Sequence, residues 1–228
     1  MTPEKRKEAK NSYFAFYIGR PVSYVFTIPL LYTNVTPNTV TVISILFAIA
    51  GYVLLSAADT VGMRLLGLLM FFLWNICDGI DGNIARYKGL KSATGDMLDT
   101  LGGYIALCLM LLSMGNAAYM DTEGGFIYLP RFLPVALSGI AAVSALIPRL
   151  LMHRKLAMEK ENSKAGALKD SASYGTLQII AKNLCDPAGM QEIVAAAAIV
   201  FHLCTEFTIG YCLMHILIMA YSIVKMTE

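Results

Sequence analysis

Charge is scarce in this chain of 228 residues. Asp, Glu, Lys and Arg make up 15% of it against 57% hydrophobic residues, where soluble domains hold about 25% charged residues. With a mean hydropathy of +0.59, an ordinary water-soluble domain is excluded and an integral membrane protein is expected. The five cysteines, Cys77, Cys108, Cys185, Cys204 and Cys212, include no CxxC pair; this excludes a zinc knuckle and a disulfide framework and leaves small buried side chains. No sign of charge dominates either, and a net charge of +2 excludes a nucleic-acid partner. Internal repeats are missing, which argues against an inverted-repeat transporter. Histidine is limited to His153, His202 and His215, read as one loop residue and two packing or hydrogen-bonding residues within spans.

What the chain does contain is a series of charge-free windows. About twenty apolar residues cross the hydrocarbon as a helix, and an unpaired charge there is costly. No Asp, Glu, Lys or Arg occurs from Pro21 to Ala58, a window divided by Pro21, Pro29 and Pro37. Residues 11–33, NSYFAFYIGRPVSYVFTIPLLYT, read as an interfacial amphipathic segment rich in aromatics. Residues 1–37 then form a cytoplasmic N-terminus with an interfacial helix, and residues 38–228 the membrane domain. Six transmembrane helices are predicted there, near 38–58, 62–80, 95–120, 131–149, 188–205 and 207–224, giving an all-α polytopic fold.

Lys and Arg placement orients these spans. With the N-terminus inside, sixteen of the 18 basic residues fall on cytoplasmic segments, and only Arg64 and Arg131 remain outside with Asp59, Asp121, Glu123 and Glu206. The expected location is a bacterial-type inner membrane. No cleavable signal peptide is expected, because the first ten residues are charged and no short apolar stretch with a small-residue cleavage site follows. The loop from His153 to about Asp186, basic and rich in Ser, Ala and Gly, reads as a positive-inside segment lying on anionic lipid.

The informative stretch is Asp78-Gly79-Ile80-Asp81-Gly82-Asn83-Ile84-Ala85-Arg86, followed by Gly95-Asp96-Met97-Leu98-Asp99. Asp78 and Asp81 are three apart and share a helix face at the cytoplasmic end of the second span. Asp99 lies in the first turns of the third span, which enters from the same side, so two antiparallel helix ends bring three carboxylates together. Like charges so placed call for a divalent cation, and oxygen donors without thiolate point to Mg²⁺ or Mn²⁺. Gly79, Gly82 and Gly95 clear space beside them for a helix backbone or a bulky phosphate ligand, and Arg86 is placed to pair with a carboxylate or a diphosphate.

Written as a pattern, these residues resemble the signature of the CDP-alcohol phosphatidyltransferase family, DxxDGxxARx8GxxxDxxxD. Asp78, Asp81, Gly82, Ala85, Arg86, Gly95 and Asp99 match it at the right spacings. The resemblance implies six transmembrane helices, a homodimer, and a metal-dependent transfer. In that transfer a CDP-linked donor, by default CDP-diacylglycerol, gives its phosphatidyl or other substituted phosphate group to an alcohol acceptor, and CMP is released. It also implies that Asp78, Asp81 and Asp99 hold the metal, and that Gly79, Gly82, Ala85 and Arg86 line the cytidine diphosphate pocket with Asn38 nearby. Arg149, Arg154 and Lys182 are candidates for a cationic pocket binding the acceptor, with Asn183 and Gln191 on the same side.

One position departs from the pattern. The fourth aspartate, the general base in the family, is replaced by Gly103. Asp96 shares its helix face but stands two turns away, about 10 Å, so it is no direct replacement; Asp96 and Asp99 are the catalytic candidates left on that helix. Three outcomes are open: an acceptor that needs no strong base, a base from another helix, or a catalytically silent protein that binds the donor or stabilises a partner.

Overall fold

The computed structural model describes residues 12–121, 125–162, 183–187 and 189–227, and every regular element among them is helical. A π-helical turn at Ala15–Gly19 leads into α1, Arg20–Leu31. There follow α2 (Pro37–Ala57), α3 (Val61–Tyr87), α4 (Ala93–Met120), α5 (Phe132–Asn162), the short α6 (Gln191–Val200) and α7 (Cys204–Thr227).

Hydroxyl caps start the helices that carry the acidic motif and its neighbour. Thr36, Thr60 and Ser92 accept hydrogen bonds from the backbone N–H groups of Thr39, Met63 and Gly95, each satisfying a donor that the first turn leaves open. α3 ends because Gly89 takes a φ of +67°, and the Leu90 N–H closes on the Ala85 carbonyl at 3.0 Å, a Schellman ending. The Ser92 cap follows at once, so the end of α3 is turned back toward the start of α4.

Among the described residues, five of the expected six spans are helices long and apolar enough to cross a membrane: α2, α3, α4, α5 and α7. The window at 188–205 is a correction. Its helix, α6, has 10 residues, about 15 Å of rise and half a hydrocarbon core. It stops because His202 adopts φ 54° and the Leu203 N–H reaches the Ala198 carbonyl at 2.7 Å. A hydropathy window does not register such a turn.

α2 packs along both α3 and α4, which touch one another little, while α5 packs on α4 and α7. Small residues allow the close crossings. A Cβ on Gly67 would stand 2.7 Å from the Leu55 backbone nitrogen, and one on Gly51 would stand 2.9 Å from the Gly67 carbonyl oxygen, the kind of contact that holds helices together in lipid. Phe71, Leu107, Met110, Met114 and Ile199 are fully buried inside, while Leu46, Val53, Val143, Leu213 and Leu217 face outward. α1 follows the same inverted plan: Tyr24, Val25, Phe26 and Ile28 are exposed, and its small polar residues Ser23 and Thr27 are buried.

At the far end of the bundle Arg64, Asp121 and Glu206 have partners. Arg64 lies about 21 Å along α3 from Asp78; it is buried, with Nη1 3.3 Å from Asp121 Oδ2 and Nε donating to the Ala58 carbonyl at 3.2 Å. Asp121 Oδ1 is 3.1 Å from His202 Nδ1. Glu206 Oε1 accepts the backbone N–H groups of Phe126 and Ile127. Removing one partner of a buried ion pair leaves the other uncompensated, at about 3–5 kcal/mol. Asp121→Asn is therefore expected to lower the thermal unfolding midpoint of the detergent-solubilised chain by several degrees, measured by intrinsic fluorescence, and an unchanged midpoint would refute the pairing.

Candidate active site

The motif carboxylates meet across the gap between α3 and α4. Asp78 and Asp99 have their carboxyl groups within hydrogen-bonding reach of each other, and Asp78 also feels the charge of Asp81. Carboxylates this close repel unless a proton or a cation lies between them. Asp81 is buried and its Oδ2 accepts a hydrogen bond of 2.5 Å from Thr41 Oγ1 on α2. As the side chains stand, no three Asp, Glu, His or Cys groups among the described residues close on one point. The expected metal trio is thus a facing pair plus a third carboxylate held by Thr41. The donors are carboxylate oxygens, chemistry that fits Mg²⁺ or Mn²⁺.

Arg86 sits exposed above this group, within electrostatic reach of Asp81 and Asp99. Its Nη2 donates to Asn83 Oδ1 at 2.7 Å, Asn83 Nδ2 donates to Thr27 Oγ1 at 3.1 Å, and Thr27 Oγ1 donates to the Ser23 carbonyl at 2.6 Å. A chain of hydrogen bonds through α1 therefore sets the guanidinium. Gly82 makes room for it, since a Cβ there would come 3.3 Å from Arg86 Nη1. Ala85 is half-buried one residue before it.

Gly79 packs against α1. A Cβ on it would meet Ser23 Oγ at 2.8 Å, so the space that it clears is filled by α1. Asn38 is exposed at the start of α2, with its Oδ1 3.2 Å from where a Cβ on Gly95 would lie; the two mark where α2 and α4 begin. Asp96 is exposed in the first turn of α4 and adds its charge to that felt by Asp99.

The proposed cationic residues separate. Arg149 is half-buried and acts on Tyr104, Cys108, Cys185 and His215, so it points into the bundle, where His215 is buried. Arg154 is exposed one turn on and is not brought to this interior. Lys182 lies outside the described residues. Burial pushes the Cys185 thiol up to about 11, with Arg149 pulling it down and Asp186 adding to the rise.

Across residues 34–224 the chain matches the family model described as CDP-alcohol phosphatidyltransferase. The chain belongs to the CDP-alcohol phosphatidyltransferase family. Membership makes it a transferase of phosphate-linked groups from CDP-alcohols, in a family that is generally dependent on divalent metal. No curated protein matches the chain.

In this family member the residues missed at the sequence level are Thr41, Asn83 and Asp186. Thr41 had a visible signal, being three residues after Asn38 and hence on its face of the helix. Asn83 lay inside the motif at an unassigned position. Asp186, whose charge reaches Asp78, looked like the end of a loop. The contact of Gly79 with α1 yields a prediction: Gly79→Val should push α1 off α3 and speed proteolysis within residues 12–31, read by mass spectrometry, whereas unaltered cleavage would show that the notch is not needed.

Proposed function

We infer that the chain is a metal-dependent integral-membrane enzyme that transfers a phosphatidyl or other substituted phosphate group from a CDP-linked donor, by default CDP-diacylglycerol, to an alcohol with release of CMP. The carrying observation is the convergence of Asp78 and Asp99 from two helices, with Asp81 oriented beside them by Thr41. Asp78, Asp81 and Asp99 would hold Mg²⁺ or Mn²⁺, which when bound neutralises diphosphate charge and stabilises CMP as it leaves. Arg86, preset by Asn83 and Thr27, binds the donor's phosphates from the exposed side. Asn38, Gly82 and Ala85 border the cytidine diphosphate there. Arg149, inside the bundle, orients the acceptor.

The placement of sixteen of the 18 basic residues supports a cytoplasmic active site in a bacterial-type inner membrane. The apolar outer side of α1 suits an interfacial helix, and a homodimer completes the reading that the family suggests. Gly103 favours a second reading, a silent member that binds the CDP-linked donor without turning it over or that stabilises a partner.

The two readings are separated by assay. With Mn²⁺, CDP-diacylglycerol and a panel of alcohols, the purified chain in lipid vesicles should release CMP, and EDTA or Asp78→Asn should abolish this and weaken CDP binding. CDP affinity indifferent to both treatments would sink the metal site, and no CMP across the panel would favour the silent reading. Thr41→Val should lower Mn²⁺ affinity about tenfold or more, as expected for a residue that orients a metal ligand, measured by competition with a fluorescent chelator.

A further inference from the structure

The hydrogen bonds between α1 and Arg86 have a fixed polarity. Thr27 Oγ1 donates its one proton to the Ser23 carbonyl at 2.6 Å, so toward Asn83 it can only accept. Asn83 therefore turns its amide nitrogen to Thr27, at 3.1 Å, and its Oδ1 is left facing Arg86 Nη2 at 2.7 Å. A guanidinium has no acceptor, so a reversed amide would set donor against donor. Thr27 thus decides which end of Asn83 meets Arg86, and, being bonded to the backbone of its own helix, Thr27 moves with α1.

α1 is held to α3 locally. A Cβ on Gly79 would stand 2.8 Å from Ser23 Oγ, and Val22, Leu30 and Leu31 pack on Ile76, Ile80 and Ile84 in a cluster separate from the main core. Just past α1, the Thr33 and Val35 carbonyls accept from Lys88 Nζ at 2.6 Å and 3.1 Å. α2 starts at Pro37, is long and apolar enough to cross the hydrocarbon, and bonds Asp81 through Thr41 near its start. α1 therefore lies where α2 enters the membrane, on the side of the acidic site.

The outward side of α1 is apolar and rich in tyrosine. Tyr24, Val25, Phe26 and Ile28 are exposed, as are Tyr17 before the helix and Tyr32 after it, and no Asp, Glu, Lys or Arg occurs from Pro21 to Ala58. Apolar bodies with hydroxyl tips suit the boundary between lipid head groups and acyl chains, and leaving them in water is unfavourable. Phe26 and Ile28 flank Thr27 in the chain, so the surface fitted to lipid and the hydroxyl that orients Asn83 belong to one helical turn.

We propose that α1 couples the bilayer surface to the donor site: lipid contact along Tyr24, Val25, Phe26 and Ile28 holds Thr27 against Asn83 and, resting on the donor role inferred for Arg86, sets the strength of CDP binding. Without lipid on that side, α1 turns to cover its apolar residues, Thr27 leaves Asn83, and the amide is free to reverse.

The test uses the full chain with Mn²⁺ in phosphatidylglycerol–phosphatidylcholine vesicles, read by equilibrium CDP binding. Thr27→Val should weaken binding about tenfold or more, and Thr27→Ser, which keeps the hydroxyl, should bind as the wild type does. The combined exposed changes Val25→Gln, Phe26→Gln and Ile28→Gln should weaken binding to a similar degree, with no further loss once Thr27→Val is added, because both act through one contact. In Phe26→Trp, brominated lipid should quench the fluorescence added above that of the native Trp74. Unchanged CDP binding in Thr27→Val or in the outward variant, losses that add, or an unquenched Phe26→Trp each overturn the coupling while donor binding stands. A wild-type chain that does not bind CDP, or Arg86→Ala binding it equally well, removes the donor role and the coupling with it.

Discussion

Asp78 and Asp99 hold their carboxyl groups within reach of one another from two helices that otherwise barely touch. In a partly dehydrated site this repulsion must be met by a proton or a cation, and much of the surrounding structure serves to maintain it. The Gly89 ending of α3 and the Ser92 cap of α4 turn the two helices so that their acidic ends face. α2 lies between them, keeps the gap open, and supplies the Thr41 hydroxyl that holds Asp81. The helix pair is thus kept under electrostatic tension at the place where a polyanionic nucleotide and its cation would relieve it.

The two ends of the bundle treat charge differently. At the Arg64 end, Arg64 pairs with Asp121 and Asp121 with His202, while one oxygen of Glu206 accepts two backbone N–H groups. At the Asp78 end, among the described residues, Asp78, Asp81 and Asp99 lie close together with the exposed Arg86 within electrostatic reach. Natural structures tolerate such local conflict mainly where function demands it. The matched end reads as a clasp and the unmatched end as a binding surface.

Local spacing made the acidic core legible in the sequence. Asp78 and Asp81, three apart at a helix end, and Asp99 just inside the next helix, occupy the positions that their spacing required, and Gly103 stood out as a departure from a regular pattern. Features that depend on partners distant in sequence were hidden. Gly79 clears a space, but no local pattern tells whether a ligand or Ser23 fills it. The turn at His202 interrupts an apolar window without any charge, proline or glycine to announce it, so a half-length helix looked like a span.

α1 lies wholly before residue 34, where the family match begins, yet its Thr27 is the last side chain in the relay that sets the Arg86 guanidinium. The orientation of an arginine inside the matched region is thus set by a helix that precedes it. A chain trimmed to the matched region would retain the whole motif but lose its alignment, with the Asn83 amide and the notch at Gly79 stripped of their cover.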